Sequence, residues 1–264
     1  MRTTFNILLS LLLLTLVYAC QSTLWPFGQS GEVDVDVQVE RYDRLQARYL
    51  TTGDFAALQS MNTSYPMETR MLIENVLQLG TVNQEDINER FLKFYQDTTL
   101  QTIINDVEAQ YADMSDVNDE LTRAFTQMRQ YIPDVRVPVV YCQIGALDQS
   151  IIVGDSAVGI CLDKYLGKDY QTYKRFYPEH QRQTMTRENI VPDCLTFYLL
   201  SLYPLPNFET ASQEVRDNHI ARILCVVNKL LGKQFFTLPA VKKVEQMMLK
   251  NPNVTIQQLL TINS

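Results

Sequence analysis

Apart from one alternating segment near the N-terminus, β-branched runs in this 264-residue chain cluster between Arg136 and Leu162. There "RVPVVYCQIG", "SIIVG" and "AVGICL" are separated by turn residues, the pattern of short strands with tight turns at Leu147-Asp148-Gln149 and Gly154-Asp155-Ser156. A further half-buried strand is expected in "EVDVDVQVE". Its strict alternation puts Val33, Val35, Val37 and Val39 on one face and acids or Gln38 on the other. So few strands account for little of the chain, and the remainder carries helical periodicity. The expected fold is therefore α+β, predominantly helical, with a small three- to four-stranded sheet.

Between Arg41 and Tyr131 the stripes Leu72, Val76, Leu79 and Leu121, Phe125, Met128, Ile132 recur at helical spacing. Five or six short helices are expected here. Breaks fall at Thr52-Gly53-Asp54, Tyr65-Pro66, Gly80 and Ile132-Pro133, where caps and stops belong. After the sheet, helical segments span 178–186, 187–203 and 209–232, the last with Ile220, Ile223, Val227 and Leu230 inward and Gly232 as C-cap. A helix near 240–250 is expected to close the chain.

The first residues fix the compartment. "MRTTFNILLSLLLLTLVYAC" has a basic start at Arg2, an apolar run from Ile7 to Val17 and then a cysteine, which reads as a secretory signal too short to span a bilayer. Its end, Val17-Tyr18-Ala19-Cys20, resembles a lipobox, in which the signal is cut before a cysteine that is then acylated. The expected organisation is a signal peptide over 1–19, lipidated Cys20 and a flexible tether over 20–31, and one domain over 32–264. Of 23 basic residues one, Arg2, leaves with the signal. The other 22 face 30 acidic residues, a net charge of −8 that makes nucleic acid an unsuitable partner. Four cysteines remain, Cys142, Cys161, Cys194 and Cys225, with no C-x-x-C pair; isolated buried thiols are expected, and an oxidising periplasm also permits a disulfide.

Chemical motifs are sparse. A zinc peptidase needs His-Glu-x-x-His, because that spacing aims two imidazoles at one ion. His180 and His219 both lack it, and no metal or cofactor is expected. There is no Gly-x-Ser-x-Gly, and Gly154, Gly159 and Gly167 do not fall at phosphate-loop spacing. The carboxylates Asp155, Asp163, Asp169 and Asp193 fit turn and helix-cap duty better than paired acid–base work.

Three stretches carry a resemblance: "VDVDVQVERYDRL" (33–45), "AVGICLDKYLGKDYQTYKRFYPEHQRQTMTRENIVPDCL" (157–195) and, more loosely, "VVNKLLGKQFF" (226–236). Together they resemble the GldB-like gliding-motility lipoproteins of the Bacteroidetes. The most specific element is Gly-x-x-Leu-Asp-x-Tyr-Leu-Gly, from Gly159 to Gly167. The resemblance implies a zincin-like architecture that lacks the metal motif, with Asp193 to Phe197 about where that motif would sit. It also implies a non-enzymatic, lipid-anchored envelope protein that scaffolds or assists a gliding-motality or secretion-type complex through envelope protein partners.

The corner between strand and helix is the expected binding surface, formed by Asp163, Tyr165, Tyr170, Tyr173, His180 and Asp193, with Leu162 and Leu166 packed beneath. Two alternatives stand beside this reading: a residual hydrolase using Asp193 and His180, and a peptide- or glycan-binding lipoprotein. The stretch "CQSTLWPFGQSG" carries no acidic cluster after Cys20, unlike lipoproteins sent to the cell surface. The expected location is thus the periplasmic side of the outer membrane.

Overall fold

The computed structural model describes residues 35–262, so the signal, Cys20, the tether and Val33 lie outside the described residues. Val35, Val37 and Val39 are buried and Asp36, Gln38 and Glu40 exposed, as alternation requires. The segment is nevertheless not a strand of the sheet. Its Val37 and Val39 amides donate to Thr122 Oγ1 (2.9 Å) and Asn118 Oδ1 (3.0 Å), and only Glu40 bridges to Tyr141. Extended backbone here is satisfied by helix side chains, a partner that periodicity does not reveal.

Helices then follow the breaks in the sequence. α1 (Tyr42–Thr52) ends at Gly53, whose φ of 69° is the left-handed cap glycine tolerates, and Asp54 caps α2 (Phe55–Ser64) by accepting from the Ala56 and Ala57 amides. α3 (Pro66–Arg70) runs into a π-helical stretch, Met71–Val76, which buries Leu72, Ile73 and Val76. α4 (Ile87–Phe94), α5 (Thr98–Gln110) and α6 (Ser115–Tyr131) complete the first half. The α6 stripe Leu121, Phe125, Met128 continues to Ile132, and all four are buried.

The sheet is three-stranded and mixed, in the order β1 (Val139–Gln143), β3 (Ala157–Cys161), β2 (Ile151–Val153). β2 and β3 form the hairpin expected at Gly154-Asp155-Ser156, with Ile151 opposite Ile160 and Val153 opposite Val158. β1 and β2 are not neighbours, however. β1 pairs in parallel with β3, Val139 opposite Ala157 through Gln143 opposite Cys161, so residues 144–150 form a crossover loop. Tyr141 lies opposite Gly159, and a Cβ on Gly159 would come within 2.6 Å of the Tyr141 ring carbon Cζ. That close approach explains the glycine in mid-strand.

A 3₁₀ turn (Leu162–Lys164) leads from β3 to α7 (Gln171–Phe176) and α8 (Glu179–Arg182). Another 3₁₀ turn (Arg187–Asn189) opens α9 (Ile190–Leu202), which packs on β2 and β3, while α1 packs on β1. α10 (Gln213–Leu231) is the central helix. It contacts α6, α9, α11 (Pro239–Lys250) and α12 (Ile256–Thr261), and it buries residues on every side, from His219 and Arg222 to Val227 and Leu230. Ile220 is only partly buried, and Gly232 closes the helix at φ 64°. The helix near 240–250 does not end the fold: α12 follows, started by a Thr255–Gln258 capping box. The fold is α+β, predominantly helical with a small mixed sheet.

The Tyr141 contact gives a direct test. Gly159→Ala should destabilise the protein by about 2 kcal/mol through overpacking, while Gly159→Ala in a Tyr141→Leu background should cost markedly less. Denaturant midpoints of the four proteins in the cycle measure the coupling.

Candidate functional site

The corner after β3 is built around a carboxylate with no solvent exposure. Asp163 Oδ1 accepts the Gly145 amide at 2.8 Å and Oδ2 the Leu147 amide at 2.5 Å. These bonds hold the crossover loop where Ala146 and Leu147 adopt φ of 52° and 66°, a left-handed geometry unfavourable for both residue types. Gly145 itself has no room for a side chain, since a Cβ would meet Cys161 Sγ at 2.8 Å. Upstream, the Gln46 side chain pairs with both the N–H and C=O of Ile144 (2.9 and 2.7 Å), and Tyr95 OH donates to the same carbonyl. The loop is thus pinned from both sides. Burial pushes the Asp163 carboxyl up, opposed by its amide bonds to Gly145 and Leu147 and by the Lys164 charge.

The tyrosines of the corner point inward. Tyr173 OH accepts from the Leu166 amide (2.9 Å) and donates to the Asp163 carbonyl, and Tyr177 OH donates to the Leu147 carbonyl. The Tyr165 carbonyl accepts from Tyr111 OH (2.6 Å), and Tyr165 OH donates to Asp193 Oδ2 (2.9 Å). Tyr165 and Tyr173 are fully buried core residues, as is Asp163, so none of the three presents its side chain to open solvent as expected from the sequence. Tyr170 is half-buried and donates to Asp106 Oδ2 at 2.7 Å; burial, aided by that bond, raises its hydroxyl to about 12. The local motif hid this inward turn, because an aromatic ring with a polar tip suits a core with acceptors as well as a surface.

Of the six predicted residues, Tyr165 and Asp193 meet at one cavity of about 300 Å³, whose other lining residues are Ser150, Lys164, Tyr177, Gln181, Thr184 and Met185. His180, exposed on α8, lies outside it and does not join Asp193. Sequence reasoning missed Lys164. Its Nζ donates to Tyr177 OH (2.9 Å) and the Leu147 carbonyl (3.2 Å) and lies 4.3 Å from the centre of the Tyr177 ring. Burial raises the Asp193 carboxyl to about 6, and the Tyr165 hydroxyl bond acts in the opposite direction. Cys142, Cys161, Cys194 and Cys225 are buried free thiols, and burial raises the pKa of each, which disfavours the nucleophilic thiolate. Among the described residues no group of three or more His, Cys, Asp or Glu side chains is placed to hold a metal ion.

The corner lies within a stretch of the chain that a family model matches. A sequence model described as "Gliding motility protein GldB" matches residues 28–217. The chain belongs to the GldB family. That match takes in two of the three resembling stretches, 33–45 and 157–195, while 226–236 falls beyond it. Comparison with curated proteins gives no match, and comparison with solved structures gives none either, a zinc peptidase included. Within this family of gliding-motility lipoproteins, the chain's Gly-x-x-Leu-Asp-x-Tyr-Leu-Gly has a structural reason at each named position. Gly159 admits the Tyr141 ring, Leu162 and Leu166 fill the core, Asp163 clamps the loop, Tyr165 ties β3 to α9, and Gly167 takes φ 110°.

Asp163→Ala should orphan two backbone amides and cost about 3 kcal/mol, read as a lower denaturant midpoint. Asp193 gives a pH signature. Its folded pKa of about 6 exceeds the ordinary value of 3.8, so its contribution to stability is full below the unfolded pKa and is lost as pH rises through 6. Asp193→Asn, which still offers Tyr165 an acceptor, should stabilise the protein by about 2 kcal/mol at pH 7.5 and by little at pH 4. Chemical denaturation at the two pH values distinguishes these outcomes.

Proposed function

We propose that this GldB-family protein is a non-enzymatic envelope lipoprotein, anchored by an acylated Cys20, that assists or scaffolds a gliding-motility or secretion-type complex. The observation that supports this most is how the polar groups of the signature corner are used. Asp163, Tyr165, Tyr173 and Tyr177 direct their oxygens to internal partners, which makes the corner a rigid support for neighbouring surfaces. Family membership supplies the gliding-motility context. Among the described residues no helix is long and apolar enough to cross a membrane, so attachment in this reading rests on the lipid.

The eleven residues between Cys20 and Glu32 reach at most ~37 Å when extended, which keeps the domain near its bilayer. The proposed location is the periplasmic face of the outer membrane. Protease added to intact cells should leave the protein whole until the outer membrane is opened, and Cys20→Ala should release it from the membrane fraction. Cross-linking and pull-down from detergent-solubilised membranes should recover envelope proteins with it. Digestion on intact cells would reverse the orientation, and recovery of the bare protein alone would overturn the scaffold reading.

A further inference from the structure

The cavity between α8, α9 and the corner holds two opposite charges, Lys164 and Asp193, both partly buried. They do not form an ion pair with each other. Each is held instead by neutral groups: Lys164 Nζ by the Leu147 carbonyl and Tyr177 OH, Asp193 Oδ2 by Tyr165 OH. An ammonium has three donors and a carboxylate two oxygens, so one N–H and Asp193 Oδ1 remain available. Asp163, next in sequence, makes no direct bond to Lys164; its oxygens accept the Gly145 and Leu147 amides, and the Lys164 charge acts on it only through space.

The charges are also fixed in place. Lys164 is tied to the loop that Asp163 clamps, and Asp193 sits on the first turn of α9, braced by the buried Tyr165. Two partly buried charges of opposite sign that are not paired with each other line the same cavity and offer it one positive and one negative group. A lone anion would meet repulsion from Asp193 and a lone cation from Lys164. Only a molecule carrying both charges neutralises the two at once, and a volume of about 300 Å³ lies at the small end of ligand cavities. We propose that this cavity binds a small zwitterion of amino-acid size, its ammonium on Asp193 and its carboxylate on Lys164. The hydroxyls of Ser150 and Thr184 and the Gln181 amide add polar contacts around it.

This proposal does not depend on the scaffold reading, since a ligand can regulate or stabilise either kind of protein. Calorimetric titration of the purified full-length protein in detergent with glycine, L-alanine, L-glutamine and the dipeptide Ala-Ala tests it. N-acetyl-alanine, which lacks the ammonium, alaninamide, which lacks the carboxylate, and N-acetylglucosamine serve as comparison probes. At least one zwitterion should bind at pH 7.5, and each singly blocked probe should bind about tenfold or more weakly. Affinity for that zwitterion should fall as pH drops from 7.5 to 5, because Asp193 loses its charge near 6. The Tyr165 hydroxyl is bonded to Asp193, and Lys164 lines the same cavity, while Glu179 and His180 on α8 lie outside it. Asp193→Asn and Lys164→Met should each weaken binding at least tenfold with circular dichroism unchanged. Absence of binding by every zwitterion overturns the proposal, as does equal binding of the blocked probes or tighter binding of the sugar. The wild-type titrations decide the matter even if a variant fails to fold.

Discussion

The two amides that turn the chain out of β1 are held by a carboxylate that water never reaches. Asp163 stands at the junction of sheet and helices, and its two bonds to Gly145 and Leu147 convert an otherwise unfavourable left-handed turn into a fixed one. An unpaired buried amide costs about 1–3 kcal/mol, so the carboxylate and the turn require each other. From that point the order propagates. The Leu147 carbonyl receives Lys164 and Tyr177, the Asp163 carbonyl receives Tyr173, and Tyr173 in turn fixes the Leu166 amide at the exit from the corner.

The consequence is that the corner, which lies within the stretch matched by the family, holds the fold together. A motif that reads as polar and aromatic suggests a lip around a site, yet here its polar atoms face the core. Function in this family must then be sought on what the corner supports, since folds carry sites and do not specify them. The Tyr165–Asp193 bond is the link: it passes the rigidity of β3 and its turn to the first turn of α9, and the cavity opens beside it.

Electrostatics at that cavity differ from those of the acidic exterior. Asp193 is destabilised as a charge by burial, and Lys164 is braced by neutral oxygens and an aromatic face, so the two do not neutralise each other by a direct ion pair. Evenly solvated surface charges contribute little to stability. A pair of partly buried, separated charges is an unfavourable arrangement that binding can relieve.

The sequence by itself determined the helical majority, its breaks, and the placement of the short strands, because those rest on interactions within a few residues. Gly53 and Gly232 had to accept left-handed backbone, Asp54 had to cap, and Gly154-Asp155-Ser156 had to turn a hairpin. Periodicity also disclosed which faces are buried, in Val35 to Val39 and along α6. What covers those faces was decided only in three dimensions. The parallel pairing of β1 with β3, the use of Thr122 and Asn118 in place of a neighbouring strand, and the inward aim of Tyr165 and Tyr173 all join residues far apart in the chain. Lys164 and Asp193 are separated by twenty-nine positions and line one cavity only because the fold brings the corner against α9, where Tyr165 bonds Asp193. Local chemistry states what a residue needs, and tertiary packing alone determines which distant atom supplies it.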